Sequence, residues 1–119
     1  MIIRHEVVEA FDFEGLRIRD YTARLGGRSS LAVIQVPPGA RHREAWSSRS
    51  EKYYYVAEGV VRFRVDGEQR DLEAGDLCLV RQGQRFAYEN TAQRPALLVL
   101  VHTPAYDAAG EHFTDENSH

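Results

Sequence analysis

Short apolar runs recur along the chain, and residues that favour turns separate them at intervals of about ten residues. Between residues 60 and 65, apolar side chains alternate with arginines, the period of two expected of a strand with one buried face. Asp66-Gly67 then marks a hairpin turn. No segment keeps a helical period, and residues 11–19 fit a strand or a loop equally well. Many short strands joined by glycine-containing turns predict an all-β sandwich or barrel.

Length and composition agree with one folded domain. The chain has 119 residues, of which 43% are hydrophobic and 28% charged, an ordinary balance for a globular protein. Because neither an internal repeat nor a low-complexity linker interrupts it, we expect one domain over residues 1–119. The polar segment 108–119 is expected to be a frayed tail.

Charge and targeting signals restrict the partners. The formal net charge is -3 at pH 7, so nothing draws the protein toward nucleic acid or an anionic membrane. Met1-Ile2-Ile3 is followed at once by Arg4-His5-Glu6, unlike a signal peptide, and no apolar run approaches the roughly 20 residues that span a bilayer. The lone Cys78 cannot form an internal disulfide. We expect a cytoplasmic protein with no nucleic-acid or membrane partner.

The stretch from Gly75 to Asn90, GDLCLVRQGQRFAYEN, resembles the second sequence motif of the cupin superfamily. That motif runs Gly, five residues, Pro-x-Gly, two residues, His, three residues, Asn. Gly75, Gly83 and Asn90 match it. Arg81 stands at the proline position and Phe86 at the histidine position.

The preceding stretch, RHREAWSSRSEKYYYVAEG, resembles the first cupin motif, which ends with Glu, six residues and Gly after a His-x-His. Gly59 is the closing glycine, so counting back places Lys52 at the glutamate position. Ala45 and Ser47 are then the counterparts of the two histidines. The resemblance covers about residues 30–107 and implies a single cupin β-barrel, the jelly-roll or double-stranded β-helix.

The replaced positions bear on metal binding. Metal-binding cupins hold a divalent ion with three histidines and a glutamate, yet Ala45 and Phe86 have no donor atom and Lys52 brings a positive charge. His42 and Glu44 have a spacing that places them on one strand face, but two ligands are too few. We therefore expect no metal ion and no other cofactor.

The same resemblance implies which side chains point into the barrel. Lys52 is the only lysine among fifteen basic residues, and it takes the inward direction of the family's glutamate. An aromatic pocket with one cation and two phenols suits a small organic molecule with an anionic or carbonyl group. The pocket residues expected besides Lys52 are Tyr54, Phe86, Tyr88 and Asn90 on the barrel wall, His42, Glu44 and Trp46 at the mouth, and His102 on the last strand.

Three functions fit this pocket. The first is a metal-independent isomerase, cyclase or decarboxylase, with Lys52 as electrophile, Schiff-base amine or general acid, Tyr54 or Tyr88 as a proton relay and His42 as the base. The second is a non-catalytic ligand-binding or sensing barrel. The third is a metal-dependent cupin with unusual ligands. In the plainest alternative, the aromatic side chains only fill the barrel and Lys52 pairs with Glu44.

We also expect a homodimer. An open barrel leaves edge strands, which proteins usually cover or pair, and small cupins are commonly dimeric. The apolar residues near the start of the chain, Ile2, Ile3, Val7 and Val8, are available to pair with a neighbour.

Overall fold

Eleven strands make up nearly all the regular structure of the computed structural model, which describes residues 1–117. Short 3-10 turns occupy His5–Val7, Ala108–Gly110 and Thr114–Asn117. The strands are β1 (Phe11–Phe13), β2 (Leu16–Asp20), β3 (Ser30–Val36), β4 (Arg41–Ser47), β5 (Glu51–Glu58), β6 (Val60–Val65), β7 (Glu68–Glu73), β8 (Leu77–Val80), β9 (Phe86–Glu89), β10 (Ala96–Thr103) and β11 (Glu111–Phe113).

The strands form two antiparallel sheets that face each other. One sheet has the order β1-β2-β3-β10-β5-β8 and the other β11-β4-β9-β6-β7. Strand β10 alternates buried and half-buried residues along its whole length, the pattern of a strand with one face on the core. The core between the sheets includes Tyr54, Val56, Val61, Phe63, Phe86 and Leu98. The prediction of an all-β barrel is confirmed.

Gly59 illustrates why this sequence turns where it does. Its φ is +78°, and a Cβ at this position would lie 2.9 Å from the Ala96 Cα and from the Pro95 carbonyl oxygen. A left-handed backbone and a close approach of two strands both require glycine there. The turn lets β5 run directly into β6 and so joins the two sheets.

Two segments near the ends of the described chain form short strands. Residues 11–19, which fitted a strand or a loop equally, form β1 and most of β2 as a hairpin. The expectation of a frayed tail from residue 108 does not hold for Glu111–Phe113, which pair with Ser47, Trp46 and Ala45 of β4. Residues 118–119 lie outside the described part. No helix among the described residues is long and apolar enough to cross a membrane.

Candidate functional site

A cavity of about 350 Å³ opens between the two sheets at one end of the barrel. Side chains from both sheets and from both ends of the chain line it. Five of the predicted site residues are among them: His42, Lys52, Tyr54, Tyr88 and His102. The remaining wall includes Phe13, Asp20, Ile34, Leu100, Tyr106, Glu111 and Phe113.

An irregularity in β4 decides which of its side chains reach this cavity. His42 lies opposite Tyr88, and Ala45 lies opposite Phe86. The two β4 residues are three positions apart, whereas their partners on β9 are two positions apart. This β-bulge shifts the alternation of the strand, and His42 faces inward on the same side as Ala45. Glu44 does not line the cavity, and its carboxylate lies 3.5 Å from the Arg64 guanidinium. The bulge therefore separates the two residues that were expected to share a strand face, and only His42 reaches the cavity.

Lys52 forms an ion pair inside the barrel with Glu111, not with Glu44. The lysine is 4% exposed, and its Nζ lies 4.6 Å from the centroid of the Phe86 ring. Strand β11 places Glu111 opposite Ser47. His102 Nε2 lies 3.9 Å from the Glu111 carboxylate, an electrostatic contact that is too long for a hydrogen bond. These groups form the polar end of the cavity.

Burial and pairing act in opposite directions on the two charges. Burial lowers the pKa of Lys52, and the Glu111 carboxylate beside it only partly offsets that effect. Burial would raise the pKa of Glu111, but His102, Lys52 and Ser47 together lower it to about 2. Glu111 is therefore ionised at neutral pH, and its charge favours the ammonium form of Lys52.

His42 is held as a neutral base. Its Nδ1 lies 2.7 Å from the Arg43 carbonyl oxygen, and because a carbonyl only accepts, Nδ1 carries the hydrogen and Nε2 the lone pair. Burial lowers the pKa of His42 to about 4. Its ring lies among Phe86, Tyr88 and Phe113, with centroids 5.0, 5.3 and 5.7 Å away.

Two polar atoms at the cavity are buried without a hydrogen-bond partner in the described part of the chain, the Tyr88 hydroxyl and His102 Nε2. Burial raises the pKa of Tyr88, as it does that of Tyr54, so both phenols stay protonated. A buried polar group without a partner costs free energy, and such groups are few in folded proteins. A ligand oxygen entering the cavity would supply the missing partner.

Four of the predicted pocket residues lie elsewhere. Phe86 is fully buried beneath Lys52 and does not line the cavity. Glu44 lies on the outer surface, and Trp46 stacks on His112 at 4.4 Å between ring centroids. Asn90 has a structural position: Nδ2 donates to the carbonyl oxygens of Val36 and Arg94 at 2.9 and 2.7 Å, and Oδ1 accepts from the Ala92 amide.

The cavity also contains residues that the sequence did not single out. Glu111 and Phe113 come from the segment expected to be frayed, and Phe13 comes from the hairpin near the start of the chain. Arg43 joins these two ends, since its guanidinium binds Glu14 and Asp115 and lies 3.9 Å from the centroid of the Phe113 ring. Strand β11 has only three residues and lies in a polar segment. Its alternation of polar and apolar positions is therefore too short to be recognised in the sequence.

The donor set does not fit the divalent ion that many barrels of this type hold. No group of three or more His, Cys, Asp and Glu side chains within reach of one ion occurs among the described residues. The Lys52 ammonium lies between the carboxylate of Glu111 and the ring of Phe86, where it would repel a cation.

Comparison with known proteins identifies relatives of this barrel. Residues 32–102 match the family model described as Cupin domain. A curated relative, the tetracenomycin polyketide synthase protein TcmJ of Streptomyces glaucescens, is 36% identical over 74 residues, which are 62% of this chain. The match spans half the length of that relative.

Solved structures share the fold over nearly the whole chain. A histidine-to-glutamine variant of Streptomyces PAC13 with uridine is 25% identical, has a TM-score of 0.80, and covers 92% of this chain and 86% of its own. A predicted oxalate decarboxylase of Thermotoga maritima is 18% identical and has a TM-score of 0.79, and the match covers 87% of this chain and 99% of that protein. At this level of identity the likeness concerns the fold alone.

Proposed function

The chain belongs to the Cupin domain family, and on that premise we propose that its barrel binds a small carbonyl-bearing molecule and transfers a proton on it without a metal. Members of one fold differ widely in activity, so the site and not the fold has to support a function. The observation that carries this proposal is a neutral His42 inside an aromatic cavity that also holds the unpartnered hydroxyl of Tyr88.

The reaction class follows from the roles these groups can take. His42 Nε2 accepts the proton of a carbon next to a carbonyl group, and the electron pair of the C–H bond moves toward the carbonyl oxygen. Tyr88 or Lys52 donates a hydrogen bond to that oxygen and stabilises its developing negative charge. Return of the proton from His42 to another atom of the ligand gives an isomerisation. In a ring closure the enolate carbon instead forms a bond to a second carbonyl carbon of the ligand, the π electrons of that carbonyl move to its oxygen, and this oxygen takes the proton from His42.

Lys52 fits this scheme as a hydrogen-bond donor better than as a Schiff-base amine. A Schiff base begins with a neutral amine, which attacks the carbonyl carbon. The carboxylate of Glu111 in contact with Nζ favours the ammonium form instead. The ammonium hydrogens that are not directed at Glu111 remain as donors to a carbonyl oxygen of the ligand.

The relatives support a carbonyl-bearing ligand. TcmJ is a polyketide synthase protein, and polyketides are rich in carbonyl groups. The PAC13 structure contains uridine, whose uracil ring carries two carbonyl groups. A planar ring of that size suits a cavity of about 350 Å³ with aromatic walls.

Two probes test binding and proton transfer separately. Uridine tests binding, followed by isothermal titration calorimetry. 2-Tetralone, an aromatic ketone with acidic hydrogens beside its carbonyl, tests proton transfer through exchange of those hydrogens in D₂O, followed by proton NMR. We expect the protein to accelerate this exchange and His42→Gln to lose at least tenfold of the acceleration.

The surface variant His5→Gln is the matched control, because His5 lies in an exposed turn away from the cavity. This variant should accelerate the exchange of the 2-tetralone hydrogens as much as the wild type does. Binding of either probe without accelerated exchange would contradict catalysis and would favour a non-catalytic, ligand-binding barrel. Exchange that His42→Gln does not slow would contradict the assignment of the base.

A further inference from the structure

Resting on the proposed function, we propose that the cavity selects uncharged ligands, whose carbonyl, amide or hydroxyl oxygens face the Lys52–Glu111 pair, and discriminates against carboxylates and phosphates. The sequence alone suggested an anionic ligand as readily as a carbonyl compound, because the expected aromatic pocket contains one cation and two phenols.

The charges around the cavity exclude the anionic alternative. The Lys52 ammonium is already neutralised by the carboxylate of Glu111 in direct contact. A second carboxylate, that of Asp20, also lines the cavity, and no arginine does so among the described residues. Apart from the histidines, the charged side chains that line the cavity are therefore one lysine and two carboxylates. An anion entering this site would lose its hydration and meet no unpaired positive charge.

The unpartnered polar atoms suit a neutral group. The Tyr88 hydroxyl donates or accepts, and Lys52 keeps hydrogens on Nζ beyond the one directed at Glu111. Buried His102 Nε2 adds a further position beside the same carboxylate. A carbonyl oxygen can accept from Lys52 or Tyr88, and an amide or hydroxyl hydrogen can be donated toward Glu111. A carboxylate has only acceptors, and its charge would repel Glu111.

Aromatic rings form another part of the cavity wall. The Phe113 ring stacks on Phe13 with centroids 6.0 Å apart and on His42 with centroids 5.7 Å apart, at interplanar angles of 24° and 25°. Planar rings pack well against such a surface. The preferred ligand is thus a planar ring with uncharged oxygen or nitrogen substituents along one edge.

Benzamide and benzoate test this charge preference, since they have nearly the same size and shape and differ by one charge. Binding is measured by saturation-transfer NMR titration at pH 7.5 in the wild type, Glu111→Gln and Asp20→Asn. We expect the wild type to bind benzamide at least tenfold more tightly than benzoate. In Glu111→Gln the carboxylate of benzoate can take the place of Glu111 as the counterion of Lys52, which should raise benzoate affinity at least tenfold. Asp20→Asn should raise it by a smaller factor.

Glu51→Gln is the matched control, because it removes the same charge from the protein at a residue next to Lys52 that pairs with Arg81 outside the cavity. It should leave the preference for benzamide unchanged. Benzoate binding to the wild type as tightly as benzamide would overturn the inference while leaving small-molecule binding intact. Failure of both probes to bind any of the proteins would contradict the charge preference and ligand binding together.

Discussion

Lys52 and Glu111 lie 59 residues apart in the chain and form an ion pair inside the barrel. Strand β5 carries the lysine inward from one sheet, and the short edge strand β11 brings the carboxylate from the other. The side chains of the pair are 5% and 17% exposed, so both charges are largely removed from water. Neither charge is favourable there without the other, and this mutual dependence is open to measurement.

Replacing Lys52 with Met should destabilise the protein. The change leaves the buried Glu111 carboxylate without its cation, at a cost of about 3–5 kcal/mol in the free energy of unfolding. Adding Glu111→Gln to the same chain should recover most of the loss, because no unpaired charge then remains. Urea unfolding of the wild type, both single variants and the double variant measures the coupling energy. Additive effects of the two changes would show that the pair does not interact.

Stability should fall in mild acid because of His42. The pKa of His42 is about 4 in the folded protein against 6.5 for a free side chain. Between these values the unfolded chain binds more protons, so the free energy of unfolding decreases as the pH falls, by about 2–3 kcal/mol at pH 4.5. Urea unfolding at pH 7.0, 5.5 and 4.5 should therefore show a steeper loss in the wild type than in His42→Gln.

The ionisation of Glu111 affects the free energy of unfolding in a lower pH range than that of His42, so the two effects can be separated. Its pKa is lowered from 4.5 to about 2, so the stability it contributes is present above pH 4.5 and is lost as the pH falls toward 2. Glu111→Gln should keep the decrease between pH 6.5 and 4.5. Parallel pH profiles of the wild type and His42→Gln would be inconsistent with a buried neutral histidine.

Removing the hydroxyl of Tyr88 should stabilise the empty barrel. The hydroxyl is buried without a partner, which costs about 1–3 kcal/mol, and Tyr88→Phe removes that cost while keeping the ring. Thermal unfolding should show a higher Tm, and exchange of 2-tetralone hydrogens should slow. Tyr53→Phe is the control, since its hydroxyl lies 3.4 Å from the Glu51 carboxylate and no gain is expected. A lower Tm for Tyr88→Phe would mean that the hydroxyl is already satisfied.

Two glycines with similar backbone angles should differ in their tolerance of a methyl group. Gly59 and Gly83 have φ of +78° and +83°, but a Cβ meets strand β10 only at Gly59 and has open space at Gly83. Gly83→Ala should cost about 1–2 kcal/mol from backbone strain. Gly59→Ala should cost about 1–3 kcal/mol more, because the Ala96 backbone cannot move aside freely. Equal losses in urea unfolding would rule out the steric contribution.

The protein should be a dimer in solution. Met1, Ile2 and Val7 are 100%, 92% and 72% exposed, so these three apolar side chains remain largely in contact with solvent in a single protomer. Sedimentation equilibrium at 10 µM should give twice the 13.6 kDa of one chain. Ile2→Glu with Val7→Glu should shift the mass toward one chain. Leu25→Glu, at another exposed apolar residue, should not change it. A wild-type mass of one chain would contradict the prediction.

Strands and turns depend largely on neighbouring residues, so the sequence predicted many of them, although it left residues 11–19 open and missed β11. The alternation of residues 60–65 produced β6 as predicted, and the motif glycines Gly59, Gly75 and Gly83 all have positive φ. The resemblance to the first cupin motif implied that Lys52 points into the barrel, and the lysine is indeed buried. The alternation that places a side chain on one face of a regular strand is a local property.

Which side chains meet in the cavity depends on contacts between strands that lie far apart in the chain. The bulge that turns His42 inward and Glu44 outward is an extra residue relative to β9, and strand pairing alone reveals it. Asn90 kept its motif position, but its amide binds backbone groups that converge only in the folded chain. Glu111 stands in a segment of polar composition and becomes a site residue because β11 pairs with β4. Contacts between segments distant in the chain leave no local pattern, and they set the charge of this site.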